Sequence, residues 1–221
     1  MIIGKGIKLK MFVRSPIFLC CLFVFSGCIY NEEPMPRIVH DSTRERTVGS
    51  PPTTTWKSAD KNISPNWLPP SRLEKKWKAI VIHHSDTANG NATIFDKYHK
   101  EIKYWEGVGY DFVIGNGTNS SDGQVEVTFR WREQKTGAHC KTPDNWANEN
   151  AVGICLVGNF NQTVPTARQI RSLVKLVRFL QHRYEIPKSR IYGHNTTPGA
   201  HETDCPGKRF PMAWLKSMLD S

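Results

Sequence analysis

Apolar positions cluster into short runs separated by glycine-, asparagine- and proline-rich turns. Ala79-Ile80-Val81-Ile82-His83 is unbroken, the pattern of a buried central strand that ends on a histidine. Thr93 is placed to cap a helix running to about Lys103, with Ile94, Phe95, Tyr98 and Ile102 on one face. Tyr110 to Ile114 reads as the next strand, and Gly115 to Gly123 as a turn. Val125, Val127 and Phe129 alternate with Glu126, Thr128 and Arg130, the period of a half-exposed strand. Ala151 to Val157 reads as a second buried strand, closed by Gly158-Asn159. The clearest helix starts at Thr166, with Gln169 three residues on as a capping box requires. Ile170, Leu173, Val174, Val177, Leu180 and Tyr184 follow at spacings of three and four, and Pro187 stops the helix. Arg190 to His194 reads as a short strand that delivers His194 at its end. Phe210, Trp214, Leu215 and Met218 make a last amphipathic helix. This alternation predicts a mixed α/β domain, one central sheet flanked by helices.

The first residues follow another logic. Lys5, Lys8, Lys10 and Arg14 precede an apolar run from Pro16 to Phe25, then Ser26-Gly27-Cys28. That run is about half the ~20 residues of a membrane-spanning helix. Residues 1–27 therefore read as a secretory signal. Phe25-Ser26-Gly27-Cys28 resembles a bacterial lipobox, so Cys28 is the expected lipidation site and membrane anchor. The expected location is the bacterial cell envelope, on the periplasmic or outer-membrane side. Residues 28–70 carry Pro34, Pro36, Pro51, Pro52, Pro65, Pro69 and Pro70 among polar residues and read as a tether. Residues 71–221 are the expected folded domain.

The net charge is +10, and four of the 30 basic residues lie in the signal with no acidic ones. The remainder carries 26 basic against 20 acidic residues, or +6. A mild basic excess suits an anionic polymer. No Lys/Arg stripe interleaves with aromatics, which argues against nucleic acid. After Cys28 only Cys140, Cys155 and Cys205 remain, too few for a disulfide scaffold. A Cys140–Cys155 bridge would suit an oxidising compartment and leave Cys205 free, but spacing alone does not decide it.

His83 and His194 both fall at the ends of expected strands, and Cys205 sits in a loop before Pro206-Gly207. Two imidazoles and a thiolate are the three protein ligands of a zinc site that leaves one position for water. Six motifs then occur in order. They are Val81-Ile82-His83-His84-Ser85, Val108-Gly109-Tyr110-Asp111-Phe112, Thr136-Gly137-Ala138-His139, Ala151 to Phe160, Gly193-His194 and Thr203-Asp204-Cys205-Pro206-Gly207. Across residues 77 to 219 the chain resembles the zinc-dependent N-acetylmuramoyl-L-alanine amidases. That family includes amidase-type phage lysozymes and peptidoglycan recognition proteins.

The resemblance implies a Zn2+ cofactor held by His83, His194 and Cys205, with His201 a rival ligand between the last two. It implies that Tyr110 sits beside the metal site and that Thr203 is a second catalytic residue. Thr203 stands where phage-type members have lysine, and Cys155 where some cytosolic members have a general-base glutamate. His84, His139 and Asn150 are the expected substrate contacts, with Asn148, Arg132 and Trp105 as further candidates. The implied activity is hydrolysis of the amide between N-acetylmuramic acid and L-alanine in peptidoglycan or muropeptides, by a monomer. The alternative is a recognition protein that binds muropeptides without cutting them. A zinc peptidase is disfavoured, because no His-Glu-x-x-His motif is present.

Overall fold

The computed structural model describes residues 63–219. The expected signal, Cys28 and most of the expected tether lie outside them. Among the described residues no helix is long and apolar enough to cross a membrane.

Five strands form one sheet: β1 (Ala79–His84), β2 (Phe112–Ile114), β3 (Val125–Val127), β4 (Ala151–Leu156) and β5 (Ile191–Gly193). Their spatial order is β3-β2-β4-β1-β5. The pairs β1–β4, β1–β5 and β2–β4 are parallel, and β2–β3 is antiparallel. Among the described residues, five α-helices accompany them: α1 (Ala92–Glu101), α2 (Phe129–Arg132), α3 (Trp146–Asn150), α4 (Ala167–Tyr184) and α5 (Met212–Ser217). The sheet is therefore mixed and flanked by helices, as the periodicity implies.

The two faces of β1 and β4 carry side chains of different size. Ile80, Ile82, Val152, Ile154 and Leu156 join Leu173, Leu176, Val177 and Leu180 of α4 in the largest core cluster. Side chains alternate along a strand, so the opposite face carries Ala79, Val81 and His83 of β1 and Ala151, Gly153 and Cys155 of β4. Small side chains there leave room above the sheet, and that space holds the site.

Helix α4 begins as its sequence requires. Thr166 Oγ1 accepts from the Gln169 N–H at 3.0 Å, and Gln169 Oε1 accepts from the Thr166 N–H at 3.1 Å. The Gln169 amide also donates to Ile114 O and Val157 O, tying the helix start to the ends of β2 and β4. The helix ends on Glu185 in the left-handed region at φ 55°, two residues before Pro187.

Three local readings are corrected. Asn91, not Thr93, caps α1: its side chain accepts from the Ile94 N–H at 2.8 Å, and Thr93 lies inside the first turn. The buried stripe of α1 is Phe95 and His99, while Ile94, Tyr98 and Ile102 face outward. The edge strand stops at Val127, because the Thr128 N–H and hydroxyl donate to Asp111 O and Tyr110 O and the chain turns into α2.

The packed unit also reaches back beyond residue 71. Trp67 is 5% exposed, its ring lies 5.8 Å from Phe179, and its carbonyl accepts from Trp131 Nε1 at 2.9 Å. Glu74 then binds α4, taking two hydrogen bonds from Arg183 (2.6 and 2.8 Å) and one from the Tyr184 hydroxyl (2.8 Å). Arg183 beside it holds the Glu74 carboxyl below its ordinary range. Replacing Trp67 with alanine is expected to cost about 3–5 kcal/mol in urea unfolding, the range for a buried large aromatic. A loss below about 1 kcal/mol would show that this segment is not part of the core.

Candidate metal centre

Strand register brings the first two residues together. Ile82 pairs with Gly193 across parallel β1 and β5, so His83 and His194 come next, side by side. Their ring centroids lie 4.7 Å apart at 61°. His83 lies in the last two residues of β1 and His194 just after β5, at the carboxyl ends of parallel strands, where open α/β sheets place their ligands. Gly193 lets the cysteine loop close in, since a Cβ there would stand 2.8 Å from Pro206 Cδ.

Cys205 is fixed by backbone bonds on both sides. Its N–H donates to Thr203 Oγ1 at 3.1 Å, and its carbonyl accepts from the Asn195 N–H at 2.7 Å. The His84 N–H points at its sulfur from 3.4 Å. The His83 ring comes from the other direction, with Nδ1 3.6 Å from Sγ. The ligand atoms of His83, His194 and Cys205 all lie within 4.8 Å of one another.

This donor set fits zinc. Bonds of about 2.1 Å to nitrogen and 2.3 Å to sulfur in a tetrahedron give an N–S edge of about 3.6 Å, the separation found between His83 Nδ1 and Cys205 Sγ. Protonation agrees with that role. Burial first, then neighbouring histidines, holds His83 well below the ordinary imidazole range. His194 is lowered by burial and by His201. Neutral imidazoles keep the lone pair a metal takes. Burial pushes the Cys205 thiol up to about 12, so a cation that binds there displaces a proton.

Other groups surround the trio. The Tyr110 ring stands 5.2 Å from that of His83. Burial, with Cys155 and Cys205 nearby, keeps the Tyr110 hydroxyl protonated far above the ordinary phenol range. Cys155 is the register partner of His83 on β4. A cleft of about 500 Å³ opens beside the trio, lined by Trp105, His139, Lys141, Asn145, His194 and Thr203 among others. His201 is exposed on its rim and is not one of the grouped ligands.

Several expected contacts lie elsewhere. The next side chain on β1, His84, takes the opposite face, where its Nδ1 accepts from the Phe160 N–H at 3.1 Å. Asn150 ends α3, with its amide on Trp146 O. Neither lines the cleft. Arg132 lines a separate groove beside α1. Cys140 and Cys155 are both free, so no bridge joins them. His139 does reach the cleft floor, but it faces His83, with Nδ1 3.0 Å from His83 Nε2. His99 on α1 lies 8% exposed between Trp105 and Tyr110 and accepts from the Gly109 N–H at 3.1 Å. Burial at the i+4 position from Phe95 is the signal that marks it.

Comparison with known proteins places this geometry. The family model described as N-acetylmuramoyl-L-alanine amidase matches residues 73–208, more than half of the chain. The chain belongs to the N-acetylmuramoyl-L-alanine amidase family. It is 28% identical over 162 residues to peptidoglycan recognition protein 1 of Mus musculus, covering 67% of this chain and 80% of that protein. It is 33% identical over 111 residues to peptidoglycan-recognition protein SC2 of Drosophila melanogaster, spanning 50% of this chain and about half (53%) of that relative. Among solved structures, the amidase LysC of Clostridium intestinale superposes with a TM-score of 0.54 at 31% identity, covering 64% of this chain and 84% of that one.

One buried carboxyl in this amidase-family domain lies behind the site. Asp111 Oδ2 accepts from the Gly153 N–H at 2.8 Å, while the fully buried Oδ1 has no hydrogen-bond partner. Burial pushes its pKa up to about 7, against the pull of the Gly153 N–H, Lys75 and Arg130. The folded-state value therefore exceeds that of the unfolded chain, near 4. The folded protein holds the extra proton between those limits, so this group's contribution to stability falls as pH rises from about 4 through about 7. Asp111→Asn keeps an acceptor for Gly153 and removes the charge. Its stability relative to the parent should rise across that window, reaching more than about 1 kcal/mol in its favour at pH 8. A pH-independent difference in denaturant unfolding would contradict this.

Proposed function

We propose that this protein is a zinc-dependent hydrolase that cleaves the amide between N-acetylmuramic acid and L-alanine in peptidoglycan or its fragments. The observation that carries this reading is the His83–His194–Cys205 group beside an open cleft, with donor atoms within 4.8 Å of one another. When bound there, zinc supplies activated water and polarises the scissile carbonyl.

The chain's own residues supply the rest. Thr203 Oγ1 already accepts from the Cys205 N–H, so its hydroxyl proton is free for a carbonyl oxygen that gains negative charge. The Tyr110 ring packs 5.2 Å from that of His83, so its hydroxyl is placed to hold a water beside the ligand group. It stays protonated, so it positions and does not act as a base. Trp105 gives the cleft an apolar wall, while Lys141 and Asn145 give it polar groups for a peptide stem. A lipid on Cys28 would tether a monomeric domain at the envelope membrane, and residues between Cys28 and Ile63 would give it reach toward the wall.

Digestion of purified peptidoglycan by the zinc-loaded protein should release stem peptides with an L-alanine N-terminus, detected by mass spectrometry. Cys205→Ser is expected to abolish both zinc retention and release. Tyr110→Phe should retain zinc and lower kcat by about 10²-fold, the scale of one lost polar contact in the transition state. Tight muropeptide binding without release from the zinc-loaded protein would replace the enzyme with a recognition module.

A further inference from the structure

His139 lies at the cleft floor, yet neither of its ring nitrogens faces open space. Nε2 is 3.2 Å from the Ala151 carbonyl oxygen, and Nδ1 is 3.0 Å from His83 Nε2. A carbonyl oxygen only accepts, so the His139 proton sits on Nε2. In a neutral imidazole Nδ1 is then an acceptor, and the proton between the two rings belongs to His83 Nε2. A neutral His83 protonated on Nε2 carries its lone pair on Nδ1. That is the atom 3.6 Å from Cys205 Sγ. The lone pair and the sulfur therefore face one point.

We infer that His139 is a positioning residue: it fixes the tautomer and ring orientation of His83, so that Nδ1 is the metal ligand. This rests on the metal-site reading but not on which bond is cleaved.

The surroundings of His139 look built for that task. A Cβ at either Gly137 or Gly153 would come within 2.5 Å of His139 Cδ2. Glycine weakens a strand interior and often marks a close approach. Here the approach to β4 is made by the imidazole itself. Asn148 secures the backbone beneath the ring. Its Oδ1 accepts from the His139 and Cys140 N–H groups at 2.8 and 2.9 Å, and its carbonyl accepts from the Gly137 N–H at 2.8 Å. Asn148 is held in turn by Asn145 Oδ1, which accepts from its amide at 2.8 Å. The rings of His83 and His139 meet at 77° with centroids 5.0 Å apart. A substrate contact would need a nitrogen open to the cleft. His139 is 8% exposed and has committed both.

Partners of this kind typically account for about 10–100-fold in metal affinity. The test combines long-range proton–nitrogen correlation spectra of the zinc-free protein with zinc affinity measured by chelator competition. His83 should be protonated on Nε2 before any zinc is added. His139→Ala should lose that single tautomer and bind zinc about 10–100-fold more weakly. His139→Asn, whose Oδ1 replaces Nδ1 as an acceptor, should recover most of the loss. A parent protein with His83 protonated on Nδ1 would overturn the inference, as would a folded His139→Ala that binds zinc as tightly as the parent. Should His139→Ala fail to fold, the parent's tautomer and the zinc affinity of His139→Asn decide. All these readouts report proton position and metal binding, so they stand apart from failure of the amidase reading.

Discussion

The site depends on one constraint: the parallel register of β1 against β4 and β5. That register sets His83 beside Cys155 on one side and beside His194 on the other. A slip of one residue would turn His83 to the α4 face and bring Ile82 or His84 into its place. The register is held by the bulk of the opposite face. Ile80, Ile82, Val152, Ile154 and Leu156 pack with α4 in this phase. Core packing on one side of the sheet thus fixes the geometry of the candidate metal site on the other.

The same burial sets the protonation of the trio. Desolvation keeps the imidazoles neutral and the thiol protonated until a cation arrives. Without a metal, Cys205 is a poor nucleophile despite its exposed loop. The His84 N–H already points at its sulfur, and a cation bound there would displace the thiol proton. Tyr110 and Thr203 stand beside this group, Tyr110 against the His83 ring and Thr203 on the Cys205 N–H.

Much of this was legible in the chain. Ala79 to His83 and Ala151 to Val157 announce buried strands as unbroken apolar runs. The Thr166–Gln169 box marks the start of α4, and the ordered motifs mark the ligand trio. What escaped reading depends on tertiary contact. Thr93 and Asn91 are both short polar residues ahead of a helix, and only geometry shows which side chain reaches the Ile94 N–H. His99 counts as polar in a periodic pattern, although it is buried. The pairing of His139 with His83 spans 56 positions, and no local spacing encodes it.

The central claim is that one zinc ion is held by two imidazoles and one thiolate. X-ray absorption at the zinc edge on the purified protein tests it directly. The account predicts one zinc per chain, with one sulfur at about 2.3 Å and the remaining nitrogen and oxygen ligands at about 2.0–2.1 Å. A sulfur-free shell, or a folded protein that takes up no stoichiometric zinc, would contradict it.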